Sequence, residues 1–382
     1  MSKVIPQIEP LFGEEERQAV YDYMGTGAWL TEHVKTRELE EVIANYIGIK
    51  HCIMFPNGTM ALYAALHAMH VGPGSKVIVP DFTMVASVDA IRMLGAEPVL
   101  VDVDWNLCLD LDNVERILRN RGVYGGHHGM DTIMVVDING RTPDIGRLEF
   151  LAQTYGCRVI EDACQAFGSA SAVRMQKCGR FGDIGAFSFS PHKIISMGQG
   201  GCLVTDSDYY MVMLRRFKNF GRWSSGGDDF DVFGTNLKFT DLQAAIGLEQ
   251  MKKIDTRVLR KREMYMRYWE QLHALEKLSF IETDLIVGCE NAMTPWYVDA
   301  LVLSQLRKTL VDHLKSLGIG TRPFYPAIHT LPGPWSNGDE GFPVSTAVSQ
   351  SGLWLPSSLS LTDDDIDNVC EAIISFYQGG KL

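Results

Sequence analysis

Between His51 and Asp206 the chain alternates short apolar runs with longer stretches in which polar and apolar positions mix. Part of these longer stretches carry apolar residues at helical spacing. Short apolar runs that alternate with helical stretches are typical of an α/β layer with a mainly parallel sheet, and we expect this fold class. The predicted strands are Cys52–Phe55, Lys76–Val79, Pro98–Val103, Thr132–Ile138, Arg158–Glu161, Ala186–Phe189 and Cys202–Thr205.

The flanking segments predict further helices and a second domain. Glu14–Met24 and Thr36–Ile47 have the pattern of N-terminal helices. Thr240–Arg262 is predicted as one long helical segment that leads into a smaller C-terminal domain of mixed strands and helices. We therefore expect a large domain over residues 1–250 and a small domain over 251–382.

The composition restricts the classes of function. The chain has 382 residues, 46% of them hydrophobic and 21% charged, which is ordinary for a globular protein. Its formal net charge of -12 argues against binding to nucleic acid or to an anionic membrane. The 8 cysteines contain no CxxC pair, so we expect reduced thiols and no metal. No apolar run approaches the length of a membrane span and the N-terminus is unlike a signal peptide, so we expect a cytoplasmic location.

Lys193 lies in a turn between a predicted buried strand and a glycine-rich reversal, in the stretch FSFSPHKIISMGQGG. The ordinary interpretation of any single lysine is a solvated surface charge. A lysine that directly follows a buried strand is instead partly desolvated, which lowers its pKa and makes the amine nucleophilic. Such an amine can form a Schiff base with an aldehyde cofactor.

Asp162 ends the predicted strand before it, in VIEDACQAFG. In its ordinary role this aspartate would cap a following helix. In its functional role it would pair with a protonated pyridine nitrogen, and a lysine with such a carboxylate meets the electronic demand of pyridoxal 5'-phosphate (PLP). Gln165 would lie on the same face of that helix and contact the cofactor. Both Asp162 and Lys193 follow strands, and ligands of such sheets bind at the carboxyl ends of strands.

A phosphate seat is predicted where Asn57, Gly58 and Thr59 precede the helical stretch Met60–His70. These residues could equally form an ordinary capped turn. The amides and the dipole of a helix N-terminus favour an anion, and glycine permits its close approach. The hydroxyl of Ser188 could contact the same phosphate.

The ordered motifs resemble those of a known family. FPNGTMAL, PDFTMVASVDAI, VIEDACQAFGS, FGDIGAFSFSPHKIISMGQGG and GTNLKFTDLQAAIGLEQM look like the PLP-dependent sugar aminotransferases of the DegT/DnrJ/EryC1/StrS group. The resemblance implies a type I, aspartate aminotransferase-like fold with a small C-terminal α+β domain. It also implies a homodimer with active sites at the subunit interface.

The resemblance assigns roles to individual residues. Lys193 would be the Schiff-base lysine, and Asp162 would pair with the pyridine nitrogen. The remaining cofactor contacts would be Gly58, Thr59, Met84, Gln165, Ser188 and Asn236, the last reaching the phosphate of the neighbouring subunit. The expected substrate contacts are Trp29, His192, Lys238, Tyr325 and His329.

Two departures from the family pattern affect these assignments. Met84 stands where many members carry an aromatic residue that stacks on the pyridine ring, and a thioether can pack there instead. One extra residue in YPAIHTLP leaves the register of Tyr325 and His329 open.

The resemblance implies amino transfer from L-glutamate to a nucleotide-linked 4-keto-6-deoxy sugar. The segment TRPFYPAIHTLP favours GDP-4-keto-6-deoxy-D-mannose, and thus an amino sugar of lipopolysaccharide O-antigen. One alternative is another keto sugar, either dTDP- or UDP-linked or a free keto sugar acid. Others are a PLP-dependent sugar dehydratase, which carries histidine in place of the lysine, and a non-catalytic sensor of sugar nucleotides. His192 is adjacent, but the four residues between Lys193 and Gly198 match the transaminase spacing.

Overall fold

The computed structural model of the protein describes residues 4–120, 132–171, 173–223, 228–281, 292–333 and 341–379. The described residues form thirteen β-strands and twelve α-helices, with two short 3-10 helices at Ile138–Gly140 and Ile328–Thr330. The seven cysteines in these ranges are free thiols. Cys289 lies outside the described residues.

A sheet of seven strands forms the large domain. Its strand order is β1-β9-β8-β5-β4-β2-β3, and the four pairings among β8, β5, β4, β2 and β3 are all parallel. Only the pairings of β9 with β8 and with β1 are antiparallel, so the mainly parallel sheet predicted from the apolar runs is confirmed. The first nine strands are β1 (His51–Phe55), β2 (Lys76–Pro80), β3 (Glu97–Val101), β4 (Thr132–Val136), β5 (Arg158–Asp162), β6 (Ala170–Ser171), β7 (Gln176–Lys177), β8 (Ile184–Ser188) and β9 (Gly201–Thr205).

Helices cover both faces of this sheet, and most residues of its strands are apolar and buried. Ile53, Val77 and Ile160 pack with α3 on one face, whereas Ile78, Ile133 and Val159 pack with α5 and α6 on the other. The helices of this part are α1 (Glu14–Gly25), α2 (Val34–Ile47), α3 (Gly58–Ala68), α4 (Val85–Met93), α5 (Leu111–Arg119), α6 (Ile145–Tyr155), α7 (Asp208–Phe217) and α8 (Asp241–Met251).

The C-terminal part is a four-stranded antiparallel sheet with helices, as expected for a small α+β domain. Its strand order is β10-β11-β13-β12. Its elements are α9 (Ile254–Leu272), β10 (Leu278–Ser279), β11 (Asp299–Val302), α10 (Ser304–Ser316), β12 (Arg322–Pro323), α11 (Pro343–Ser351), β13 (Gly352–Trp354) and α12 (Asp363–Gln378).

The helical segment predicted over Thr240–Arg262 is wrong in one respect, because it consists of two helices that part at Lys252 and Lys253. α8 packs on α1 and α2, while the later turns of α9 enter the core of the small sheet through Met264 and Tyr265. Ile254 and Val258 at the start of α9 still pack in the core of the large domain, so the chain passes from one core to the other within α9. The division of domains at residue 250 stays a prediction, and Ile5 packs in the small core.

Among the described residues, none of the helices combines the length and the apolar character needed to cross a bilayer.

Candidate active site

Three chain segments meet at the carboxyl edge of the large sheet. α3 begins at Gly58 beside the end of β8, and a β-carbon added to Gly58 would lie 2.9 Å from Ser188 Cβ and 2.9 Å from Cys164 Sγ. The pocket next to these residues is lined by Cys164, Gln165, Phe167, Ser188, Lys193, Ile194, Thr294, Pro295 and Trp296. The structure thus brings together Gly58, Ser188, Gln165 and Lys193, which the sequence places far apart.

Lys193 faces this pocket from the turn after β8. Its backbone N–H donates to Ser190 O at 3.0 Å, and its Nζ lies 3.6 Å from the centroid of the Trp296 ring. Burial lowers the pKa of Lys193 from 10.5 to about 8, although the neighbouring Cys164 and Asp162 oppose this shift. A substantial fraction of the amine is therefore neutral near pH 8, as a nucleophile or a general base requires.

Asp162 is buried at the end of β5, where two donors hold its carboxylate. Ser87 Oγ donates to Oδ2 at 2.7 Å, and the backbone N–H of Cys164 donates to Oδ1 at 3.2 Å. The residues after Asp162 form turns, so the helix that it was expected to cap is absent from this described segment. The carboxylate is fixed from two sides in front of the pocket that Lys193 lines.

Gln165 is buried and lines the same pocket, although it stands on a turn and not on the predicted helix. Its Oε1 accepts a hydrogen bond from the backbone N–H of Asn139 at 2.9 Å. Asn139 itself has a positive φ of 52°, in the left-handed region. Gln165 is thus held against the residues that follow β4.

The start of α3 has the features of an anion seat. Asn57 caps the helix by accepting from the backbone N–H of Met60 at 2.9 Å, so the capped turn is present. The free N–H groups of the first turn, which includes Gly58 and Thr59, are available to an anion. Ser188 is buried beside them. That Gly58, Thr59 and Ser188 bind the phosphate of the cofactor stays a prediction.

Met84 is the residue before α4 and is 44% exposed. It lies one turn before Ser87, the residue that holds Asp162. A thioether on this turn could reach a ring paired with Asp162, and this role stays a prediction.

His192 and Lys193 have different surroundings, although they are neighbours in sequence. The side chain of Lys193 lines the pocket, whereas His192 is exposed and contributes its backbone carbonyl to Trp296 Nε1 at 2.6 Å. Partial burial lowers the pKa of His192, and the charges of Arg322 and Lys193 lower it further. The residue at the pocket is thus the lysine, in agreement with its spacing from Gly198.

Trp29, Asn236 and Lys238 are placed away from this pocket within one chain. Trp29 is 72% exposed, and its backbone carbonyl accepts from Tyr23 Oη at 2.6 Å. Asn236 is exposed, and its Oδ1 accepts from the N–H of Lys238 at 3.3 Å. None of the three is among the described residues that line the pocket, and their roles stay predictions.

His329 is enclosed and held by Asp81. The two side chains are 1% and 0% exposed, and His329 Nδ1 lies 2.6 Å from Asp81 Oδ2. Burial raises the pKa of Asp81, while its hydrogen bonds to His329 oppose the rise. The imidazole also stacks on Phe342, with 4.8 Å between centroids. In this arrangement it joins the residue after β2 to the short helix Ile328–Thr330, and its role as a substrate contact stays a prediction.

Tyr325 is buried near the pocket. Its ring packs on Trp354 at 4.8 Å and on Phe82 at 6.5 Å between centroids. Burial raises the pKa of Tyr325 to about 12, and the charge of Asp162 adds to this rise. The hydroxyl is therefore neutral at working pH, and a role as a hydrogen-bonding contact to substrate stays a prediction.

Sequence reasoning missed three residues at this site. Ser87 holds Asp162, Trp296 covers the amine of Lys193, and Arg322 adds positive charge that lowers the pKa of that amine. Ser87 and Trp296 carry no local pattern that marks them. Arg322 stands in TRPFYPAIHTLP, where an arginine before a pocket tyrosine was a usable signal.

These residues fit PLP as a group. The cofactor needs an amine for its aldehyde, a carboxylate for its ring nitrogen and an anion seat for its phosphate. Lys193 supplies an amine, Asp162 a carboxylate and the start of α3 an anion site. Gly58 lies against Ser188, so this anion site adjoins the pocket.

The chain is similar to known proteins over nearly all of its length. The DegT/DnrJ/EryC1/StrS aminotransferase family model matches residues 10–374. The GDP-perosamine synthase of Vibrio cholerae is 31% identical over 381 residues, covering 98% of this chain and 99% of that protein. The GDP-perosamine synthase of Caulobacter vibrioides is 33% identical, covering 95% and 96%. A DegT DnrJ EryC1 StrS aminotransferase from Brucella abortus superposes with a TM-score of 0.86 at 27% identity, covering 96% of each chain.

These matches agree with the geometry of the pocket and with the type I fold. Because the family model covers most of the chain and its cofactor-binding residue types are in place, the protein belongs to the DegT/DnrJ/EryC1/StrS family of PLP-dependent sugar aminotransferases.

Proposed function

We propose that the protein transfers the amino group of L-glutamate to the keto carbon of a nucleotide-linked 4-keto-6-deoxy sugar, GDP-4-keto-6-deoxy-D-mannose. The observation that carries the amino transfer is the pocket in which Lys193, with a pKa lowered to about 8, lies beside buried Asp162. The choice of sugar is supported by two relatives named GDP-perosamine synthase, at 31% and 33% identity.

Bound PLP supplies an electron sink for the carbon that exchanges its proton. Lys193 would take the proton from the donor α-carbon and deliver it to C4′ of the cofactor, since its amine is partly neutral near pH 8 and faces the pocket. Asp162 favours a protonated ring nitrogen, and Ser87 keeps its carboxylate in one orientation. Trp296 covers the amine and limits the access of water.

We further propose a cytoplasmic homodimer in which each active site is completed by the partner. Asn236 is exposed and free to reach a phosphate across an interface, and Trp29 presents a large apolar ring to the surface. The diphosphate of the sugar nucleotide would meet the cations of Lys238 and Arg222, which are partly exposed, and it would replace Asp228 as the partner of Arg222. His192 is available at the pocket rim as a further sugar contact.

A panel of keto sugars tests the proposed substrate. The purified enzyme loaded with pyridoxamine phosphate is mixed with GDP-, dTDP- and UDP-linked 4-keto-6-deoxy sugars and with a free keto sugar acid. We expect kcat/KM for the GDP-mannose derivative to exceed the others by about 10-fold or more, because another base or sugar configuration leaves buried polar groups of the site unpaired, at about 1–3 kcal/mol each. Faster amination of another sugar contradicts the proposed substrate, and loss of the 3-hydroxyl without amination would identify a dehydratase.

Borohydride labelling tests the role of Lys193. Reduction of the yellow holoenzyme should fix the cofactor on the peptide that contains Lys193, as read by mass spectrometry. Lys193→Ala should lose about 10²- to 10⁴-fold in turnover, because it lacks the group that moves the proton. Lys308→Ala, which removes an exposed lysine paired with Asp312, is the matched control. A colourless protein that gains nothing from added PLP is incompatible with the proposal.

A further inference from the structure

Two carboxyl groups lie fully enclosed where β4 and β5 end. Asp137 is the residue after β4, Glu161 is the residue before Asp162 in β5, and both side chains belong to residues that are 0% exposed. A carboxyl oxygen of each and Sγ of Cys178 lie within 4.8 Å of one another. Two groups that normally carry negative charge are thus enclosed together, which is unfavourable unless one charge is neutralised.

Glu161 is placed to keep its charge. Its Oε1 accepts from the backbone N–H of Gly179 at 2.5 Å, and its Oε2 accepts from that of Phe181 at 2.6 Å. Burial raises the pKa of Glu161, but the hydrogen bond with Asp137 and the bonds from these amides oppose the rise. Donors of this kind favour the ionised form of a carboxyl group, so Glu161 is the negative member of the pair.

Among the described residues, no backbone amide donates to the carboxyl group of Asp137, whose partners are Glu161 and the thiol of Cys178. Burial raises the pKa of Asp137 well above 3.8, and the charges of Glu161 and Asp162 raise it further. Burial and the two carboxyl groups also raise the pKa of the Cys178 thiol well above 9.0, so this group is neutral. The described groups that act most strongly on the pKa of the pair include no cation.

We propose that Asp137 is a protonated carboxylic acid at neutral pH that donates its proton to Glu161, and that this shared proton positions the cofactor contacts Asp162 and Gln165. Only the protonated form can donate, because a carboxylate is an acceptor alone. The pair then carries a single negative charge. A divalent cation held by the same two carboxylates and Cys178 is less favoured, because both oxygens of Glu161 already accept from amides and the three residues are closed to solvent.

The pair lies at the base of the segment that holds Gln165. The backbone N–H of Asp137 donates to Asp162 O at 3.1 Å. Two residues further on, the backbone N–H of Asn139 donates to Gln165 Oε1 at 2.9 Å. Loss of the shared proton would leave two like charges in contact and push Asp137 away from its partner, so the contacts of this segment with the pocket would weaken. This role is independent of the sugar and of the amino donor.

Infrared spectroscopy of the holoenzyme tests for the shared proton. The C=O stretch of a carboxylic acid is distinct from the stretches of a carboxylate. The difference spectrum between the wild type and Asp137→Asn at pH 7 should therefore contain a carboxylic acid band. Asp312→Asn, at an exposed position paired with Lys308, is the matched control and should give no such band. A difference spectrum of Asp137→Asn that contains only carboxylate bands overturns the proposal.

The pH dependence of unfolding is a second test. Above pH 3.8 and below its raised pKa in the folded state, Asp137 keeps a proton that the unfolded chain has released, so its contribution to stability falls as pH rises. In urea denaturation from pH 5 to pH 8, the unfolding constant of the wild type should rise relative to that of Asp137→Asn by up to about tenfold per pH unit. The asparagine keeps an N–H donor and has no proton to lose. Identical pH dependence of the two proteins overturns the proposal.

Equilibrium dialysis of PLP tests the positioning role. Asp137→Ala leaves Glu161 without this donor and should raise the Kd for PLP about tenfold or more, whereas Asp137→Asn should stay within about twofold of the wild type. Asp137→Val carries the same expectation and replaces the alanine variant if that protein does not fold. Equal affinity of the wild type and a variant without the donor overturns the positioning role.

Metal analysis of the holoenzyme, purified without chelators, distinguishes the proton from a cation. Mass spectrometry of the elements should find no divalent metal at one ion per chain. One ion per chain that is lost in both Asp137→Asn and Cys178→Ser overturns the shared proton and assigns a metal site to this cluster.

Discussion

Gly58 is a residue whose lack of a side chain allows the cofactor pocket to form. An added β-carbon would lie 2.9 Å from Cys164 Sγ and 2.9 Å from Ser188 Cβ, closer than real contacts of this kind. Cys164 follows Asp162 by two residues, and Ser188 ends β8. One methyl group at Gly58 would therefore push apart the residues expected to hold the phosphate and the pyridine ring.

We expect Gly58→Ala to raise the Kd for PLP by about tenfold or more, since overpacking of this kind costs about 1–3 kcal/mol. Equilibrium dialysis of PLP against the variant measures the change, with circular dichroism as a check on folding. Gly72→Ala is the control, because a β-carbon on Gly72 meets no atom within 4 Å. Equal PLP affinities of the two variants would show that Ser188 or Cys164 can move aside without weakening the binding of PLP.

The sequence revealed the reactive residues here, but not the residues that hold them. Lys193 and Asp162 were recognisable because each directly follows an apolar strand. Ser87 and Trp296 were not, since each acts through a contact between residues 75 and about 100 positions apart. The pairing of His329 with Asp81 could not be predicted either, because the two residues lie 248 positions apart. Such pairings depend on the folded sheet and leave no trace in local spacing.

At the scale of elements, α9 bridges the pocket wall and the small domain through one buried lysine. Lys261 is 2% exposed, and its Nζ donates to Trp296 O at 2.9 Å and to Ser357 O. Burial lowers the pKa of Lys261 from 10.5 to about 7. The orientation of Trp296, which covers Lys193, thus depends on a helix of the neighbouring domain.

This lysine predicts a pH dependence of stability. Between pH 7 and pH 10.5 the unfolded state binds a proton that the folded state has released, so the free energy of unfolding rises with pH. The slope is at most about 1.4 kcal/mol per pH unit for one group, and below pH 7 the cost of the buried charge is fully present. Lys261→Met should remove this contribution and leave the part due to Lys193.

Urea denaturation at several pH values between 7 and 9 measures that slope for the wild type and for Lys261→Met. Lys308→Met, at an exposed position, should keep the wild-type slope. If the free energy of unfolding rises equally with pH in the wild type and in Lys261→Met, the buried amine stays charged because its two carbonyl partners stabilise the charge.

The strands were predictable at this scale, because each is an apolar run bounded by turns. Two helix predictions were wrong for different reasons. Thr240–Arg262 has continuous helical periodicity, but it is interrupted at Lys252 and Lys253, where Lys253 Nζ pairs with Glu16 at 2.7 Å. The residues after Asp162 have helical propensity, but turns place Gln165 against Asn139 instead. Tertiary contacts override local preference in both cases.

Across the whole molecule, one buried ion pair joins the large sheet to the small one. Arg141 Nη1 donates to Asp299 Oδ2 at 2.6 Å and Nη2 to Oδ1 at 3.0 Å, with side chains 3% and 0% exposed. Asn139 also donates to Asp299 at 2.6 Å and accepts from the N–H of Tyr297 at 2.6 Å. The same network ends at Gln165, so domain packing and the cofactor pocket share one set of hydrogen bonds.

Breaking this pair should cost far more than replacing it. Arg141→Met leaves the Asp299 carboxylate buried without its partner, which typically costs about 3–5 kcal/mol in the free energy of unfolding. The double variant Arg141→Met, Asp299→Leu removes both charges, and we expect it to recover at least half of that loss. Urea denaturation of the single and double variants measures both quantities. If the double variant is as unstable as the single one, the pair holds the domains by its geometry and not by mutual neutralisation of charge.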